Sequence, residues 1–361
     1  MTLPLDPIAP RVITLGTAGG PRWWNGPDGR PRSGISTAVL VGDAVYLVDC
    51  GQGAGRQLKN AGIDLDRLRG VFLTHLHSDH VVDLAPLLLF SQFERKDPSL
   101  PRVLVRGPGS RGPVPPLSGR ATRQVHPVSP HRSTPGTRQL MESLTEAFAT
   151  DVNDRLFDSL TRPPAEHFDV ADIELAPQIG FDPDEDPAPS MEPFVVHTDE
   201  LVTVTATLVA HAPTAPAFAF RFDTANGSAT VSGDTAPCDN LVRLARDTDL
   251  LLHEAIDLDL IASQYTDTDL MNATMDHHRR AHTTPLQAGE VATRAGARSL
   301  ALHHLVPAHA PIENWLRAAE TYAGPLFVPD DLAVISFASG DAHDTGEGAP
   351  FASANRTGKA R

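Results

Sequence analysis

Cysteine is nearly absent: Cys50 and Cys238 are the only two in 361 residues. So few thiols argue against a disulfide framework and a thiolate zinc site, and they fit a reducing compartment. Long apolar runs are missing too, since none approaches the roughly 18–20 residues that a membrane-spanning helix needs. Met1-Thr2-Leu3-Pro4-Leu5-Asp6 lacks the basic and apolar stretches of a signal peptide, so a cytoplasmic location with no membrane partner is expected. Positive charge is scarce, with 30 Lys and Arg against 45 Asp and Glu and a net charge of −15. That balance disfavours a broad nucleic-acid surface, which draws on clustered Lys and Arg. The hydrophobic fraction of 41% is that of a globular chain long enough for a sizeable core. Histidine is the one excess, at sixteen residues.

Four of the metal-competent side chains fall in one stretch, Thr74-His75-Leu76-His77-Ser78-Asp79-His80. Leu68 to Thr74 reads as a short apolar strand that delivers them. His75 and His77, two apart at a strand end, can turn to one side and share a metal ion. Asp79 and His80, past the bend, can face a second. Imidazole nitrogens with carboxylate oxygens suit zinc, with manganese or iron as alternatives.

The rest of the chain repeats the arrangement of a strand that ends in a metal-competent residue. Arg11–Leu15 is a first strand, followed by the turn Gly16–Gly20 and a polar loop over 21–33 that carries Trp23 and Trp24. Those indoles either line a pocket or pack on the domain. A hairpin is expected over Ile35–Val41 and Ala44–Asp49, a helix over Gly53–Ala61, an apolar helix over Val81–Phe93 and a strand over Arg102–Arg106. From Arg106 to Arg138 the chain is rich in Pro, Gly and Ser and holds six Arg and no acid, which reads as a loop or insertion. Fourfold apolar spacing predicts a helix over Arg138–Leu160, and 182–193 is an acidic, Pro-rich linker. Strands over Leu201–Ala210, Ser228–Ser232, Leu250–Leu252 and Leu300–Leu302 lead into His211, Gly233-Asp234, His253-Glu254 and His303-His304. Thr284 and Pro285 start a helix that runs to about Ala295.

Two ions about 3.5–4 Å apart need ligands on both sides and a carboxylate between them. His75, His77 and His211 can hold the first and Asp79, His80 and His304 the second, with Asp234 bridging. The space left suits a bridging hydroxide as the nucleophile for an ester. Only one ring of the His303-His304 pair can face the site, because neighbouring strand residues point to opposite faces.

The stretch His75–His80 resembles the His-x-His-x-Asp-His signature of the metallo-β-lactamase superfamily, and His211, Ser232-Gly233-Asp234 and Leu302-His303-His304 match its later motifs in order. His253-Glu254-Ala255, His282-Thr283-Thr284 and Leu15–Gly20 are similar to elements of its ribonuclease Z and arylsulfatase-like branch. The resemblance spans roughly residues 10–340. It implies an αββα sandwich with a dinuclear metal site at one sheet edge; a long insertion at about 107–200 departs from that pattern, and the polar, small-residue stretch over 341–361 reads as a disordered tail. The resemblance also implies that His304 is the ligand of its pair, that His282 assists the transition state beside Asp79, and that Glu254 orients His282. The long arm that ribonuclease Z carries between His211 and Asp234 has no room here, since the two lie 23 positions apart. The expectation is therefore a dinuclear-metal hydrolase of a small-molecule ester (sulfate, phosphodiester, carboxylic ester or lactone), with a homodimer as an open option. The alternative is a ribonuclease Z-like endoribonuclease acting on tRNA precursors.

Overall fold

The computed structural model describes residues 9–264, 266 and 268–338; the tail expected over 341–361 lies outside them. The first half of the chain supplies β1 (Arg11–Gly16), β2 (Trp24–Asn25), β3 (Pro31–Arg32), β4 (Ser36–Val41), β5 (Ala44–Val48), β6 (Leu68–Phe72), β7 (Val103–Pro108) and β8 (Phe168–Ile173). The second half supplies β9 (Phe194–Thr198), β10 (Val202–Leu208), β11 (Phe218–Thr224), β12 (Gly227–Val231), β13 (Leu250–Ile256), β14 (Leu300–Val306), β15 (Leu326–Phe327) and β16 (Ala333–Ser336). The helices are α1 (Ala54–Asn60), α2 (Ser78–Val81), α3 (Leu84–Glu94), α4 (Thr137–Ala147), α5 (Ala149–Phe157), α6 (Asp239–Leu244), α7 (Leu258–Ser263), α8 (Thr268–Ala281), α9 (Pro285–Ala295) and α10 (Ile312–Leu316).

Two seven-stranded sheets result, in the orders β16-β1-β4-β5-β6-β7-β8 and β15-β14-β13-β12-β11-β10-β9. Alternation along each strand explains why they stack. Val39 and Val41 of β4 face the second sheet, while Ala38 and Leu40 face the helices outside. Every residue of β4 and β5 is buried because both faces are covered. Between the sheets lies an aromatic core in which Phe72 meets Phe222 edge-on at 5.5 Å and Phe220 at 5.6 Å. Such pairs contribute about 0.5–1.5 kcal/mol beyond their burial. Outside, α1, α3 and α4 cover the first sheet, and α6, α9 and α10 the second. This is the αββα sandwich of the metallo-β-lactamase fold.

Two local expectations change. The single helix over Arg138–Leu160 is two, α4 and α5, broken at Phe148. A strict fourfold repeat drifts about 40° per step around a helix, so it leaves the core face within a few turns. Met141 and Val152 are buried, whereas Phe148, Phe157 and Leu160 are exposed. The Arg106–Arg138 segment is also more tied down than its composition suggests. Arg106 belongs to β7 and pairs with Asp169 at 2.8 Å. Arg111 is buried, binds the Pro213 carbonyl at 3.1 Å and pairs with Asp184 of the acidic 182–193 stretch. Between them, residues 112–132 are exposed and without regular structure.

Candidate metal centre

β6 ends at Phe72, and the backbone then bends so that His77 precedes the first turn of α2. This places His75, His77, Asp79 and His80 at one edge of the sandwich. The second sheet meets them there with the chain after β10 (His211), after β12 (Asp234) and near the end of β14 (His304). Gly233 makes the turn before Asp234 with φ of 59°, and a Cβ there would lie 2.6 Å from the Phe218 carbonyl oxygen. Only glycine fits that position.

The seven side chains form two groups whose ligand atoms converge. In the first, His77 Nδ1 lies 3.0 Å from His75 Nε2 and 3.2 Å from His211 Nε2. Asp234 Oδ2 lies 3.9 Å from both His75 and His211. In the second, His80 Nε2 and His304 Nε2 are 3.2 Å apart, and Asp79 Oδ2 is 3.5 and 3.4 Å from them. Asp234 Oδ1 is 3.3 Å from both of those imidazoles. One carboxylate thus presents one oxygen to each group. His304, the bulged residue of β14 with φ of 47°, turns into the centre. His303 remains in the core, where burial presses its pKa down to about 3.

Burial and neighbouring imidazoles hold His75 well below the usual histidine range, and burial does the same for His211, so their nitrogens keep free lone pairs. Around His80, burial opposes charge, but the carboxylates of Asp234, Asp49 and Asp79 outweigh it and raise its pKa. The pocket therefore calls for positive charge. Asp234 Oδ1 is buried and has no hydrogen-bond partner among the described residues. A buried carboxylate oxygen without a hydrogen bond, set among imidazole nitrogens, fits a divalent cation, and the groups can hold two.

A layer of residues orients these donors. Asp49 accepts from His80 Nδ1 at 2.8 Å and from the Thr74 amide at 2.8 Å, which leaves His80 Nε2 turned inward. His211 Nδ1 donates to the Ala281 carbonyl at 2.9 Å, and Thr214 Oγ1 lies 2.6 Å from His77 Nε2. The sequence reading missed Asp49 and Thr214. Asp49 ends a strand as the ligands do, so the same signal pointed to it. Replacing Asp49 with Asn should weaken metal affinity about 10–100-fold, read by competition with a chromophoric chelator. Unchanged affinity would exclude the orienting role.

His282 and Glu254 stand beside the first group. Glu254, fully buried on β13, contacts His282 Nδ1 at 3.0 and 3.1 Å and accepts from the Thr235 amide at 2.5 Å. Burial works against a charge on His282, but Glu254 and Asp234 outweigh it and push the imidazole up to about 9. A capping box of Thr284 and Gln287, with Pro285 in the first turn, starts α9 just after His282. His277 and His278 of α8 lie near it, with ring centroids 6.0 and 5.5 Å away; nothing in the sequence reading singled them out.

The chain is 30% identical over 312 residues to the ribonuclease Z of Mycolicibacterium gilvum, covering 85% of this chain and 90% of that one. It belongs to the ribonuclease Z family. Among solved structures, the short form of human tRNase Z superposes with a TM-score of 0.57 at 21% identity, covering 91% of this chain and 99% of that one. The metallo-β-lactamase fold protein YhfI of Bacillus subtilis superposes with a TM-score of 0.55 at 21% identity, covering 90% and 98%. The family described as "Anti-Pycsar protein Apyc1" matches residues 36–106, which include His75 to His80. The chain is a metal-dependent hydrolase that acts on ester bonds.

These relatives overturn the expectation of a small-molecule ester substrate with nucleic acid disfavoured. Net charge sums the whole chain, whereas RNA contact depends on the charge beside the site. Here Asp49, Asp234 and Glu254 are buried, and Arg123, Arg132 and Arg138 are exposed. Among the described residues, no helix is long and apolar enough to cross a membrane.

Proposed function

We propose that this protein is a ribonuclease Z-like endoribonuclease that cleaves tRNA precursors. The observation that carries the reading is the 30% identity to a ribonuclease Z over 85% of the chain. The converging donor groups and the Glu254–His282 pair support it chemically. His75, His77 and His211 would hold one divalent ion, Asp79, His80 and His304 a second, with Asp234 shared between them; the nitrogen and oxygen donors suit zinc. Ions bound there supply Lewis acidity and lower the pKa of water at the site.

The chain's own residues do the rest. Glu254 keeps the His282 imidazole protonated and turned toward the centre, so that it can donate a proton to the leaving ribose oxygen. Asp49, Thr214 and the Ala281 carbonyl hold the ligands in one tautomer and one orientation. On the His77 side, a cleft of about 260 Å³ lined by Leu76, Arg111, Thr134 and Thr214 opens against the 109–136 segment. The exposed arginines of that segment are suited to RNA backbone contact, in place of the arm that has no room between β10 and β12.

The test is cleavage of a precursor tRNA with a 3′ trailer. Chelator should abolish cutting, and zinc or manganese should restore it. Binding should weaken steeply with salt, since each phosphate contact releases counterions. An intact precursor after incubation with fully metal-loaded protein would reject the proposal.

A further inference from the structure

The paired indoles of the 21–33 loop have different fates. Trp24 is structural: its indole N–H donates to the Gly19 carbonyl at 2.6 Å, its ring lies 5.5 Å from His309, and the Arg22 guanidinium sits over it at 5.6 Å. Trp23 is 89% exposed. Its loop is held firmly, however. β2 pairs with β3, Arg32 donates to Thr17 at 2.8 Å, and Asp331 accepts from the Thr17 and Ser33 amides at 3.0 and 2.6 Å. The preceding turn is tied to the metal centre itself, because the Gly20 amide donates to Asp79 Oδ2 at 2.8 Å.

Trp23 lines a cleft of about 240 Å³ together with Arg22, Gln52, Ser78, Asp79 and Val82. One wall is a flat indole and another is a carboxylate of the second donor group. An indole exposed on an anchored loop offers a stacking face without the entropy cost of ordering the loop on binding. Arg22, itself fixed on Trp24, adds positive charge at the rim, and Gln52 and Ser78 add hydrogen-bonding groups. A planar ring system joined to a phosphate matches that set, and base–aromatic stacking tolerates any of the four bases.

We infer that Trp23 and Arg22 form a nucleotide subsite in which an unpaired base of the RNA, next to the cleaved phosphate, stacks on Trp23. The assignment rests on the ribonuclease reading above. The experiment uses the full, zinc-loaded chain. Trp23→Ala should raise KM for precursor tRNA roughly tenfold while leaving kcat and metal content in place, and Trp23→Phe should recover most of the loss. CMP and AMP should quench the tryptophan fluorescence of the wild type and leave that of Trp23→Phe unchanged. Equal KM values for wild type and Trp23→Ala would overturn the subsite. If the wild type leaves the precursor uncut, the ribonuclease reading falls and the fluorescence decides alone. Quenching confined to the wild type then keeps a nucleotide site, and equal responses overturn it.

Discussion

Asp234→Asn is expected to lower precursor cleavage by about 10³-fold or more, because one carboxylate serves both donor groups. Its two oxygens lie 3.3 Å from His80 and His304 and 3.9 Å from His75 and His211. An asparagine keeps the shape but loses the charge, and its NH₂ would point a donor at one of the two donor groups. Metal content should fall from two equivalents to one or fewer, while the far-ultraviolet circular dichroism stays that of the wild type. Asp234 is buried between the sheets' edges rather than within their apolar core, so the fold has little reason to fail. Two bound equivalents together with wild-type turnover in this variant would refute the bridging assignment.

The second large effect concerns His282. Replacement by Gln should cost about 10²–10⁴-fold in kcat with both metal equivalents retained, since the residue would move a proton and hold no ion. Glu254→Gln should cost less, about 10–100-fold, because Glu254 acts through His282 as a positioning residue. The two variants differ in their pH profiles. The Glu254 carboxylate stabilises the protonated imidazole, so its removal lowers the pKa of His282. The alkaline limb of kcat should therefore move to lower pH in Glu254→Gln, while His282→Gln should lose that limb altogether. A profile unmoved by Glu254→Gln would leave the carboxylate with a merely structural part.

The relation between chain order and site is uneven. His75, His77, Asp79 and His80 stood out because four donors in six residues at the end of an apolar strand are hard to explain as packing or as an ordinary loop. His211, Asp234 and His304 each look like ordinary strand-end residues, and their meaning came from sharing that position. The capped start of α9 was legible from Thr284 and Pro285. The continuous helix over Arg138–Leu160 was misread, because a fourfold repeat mimics a core stripe locally and leaves it over longer spans. Asp49 sits at a strand end as the ligands do, but its part is a contact with His80, 31 residues away, that nothing local records. The whole-chain charge misled about RNA, since a sum over all charges does not record where the exposed arginines of the 112–138 stretch lie.

By itself, the sequence determined the kind of chemistry: imidazole and carboxylate donors at strand ends, few thiols, and strands enough for two sheets. Those are properties of residue types and of short-range periodicity. Which oxygen of Asp234 faces which group, how His304 is turned into the centre, and which of Trp23 and Trp24 stays free were decided only by tertiary structure. The first two depend on atoms brought within about 4 Å across the sandwich by sheet stacking and by the bulge at His304, and the third on the hydrogen bond from Trp24 to Gly19. Distances of that kind are set by packing between segments hundreds of residues apart, as with Asp79 and His304.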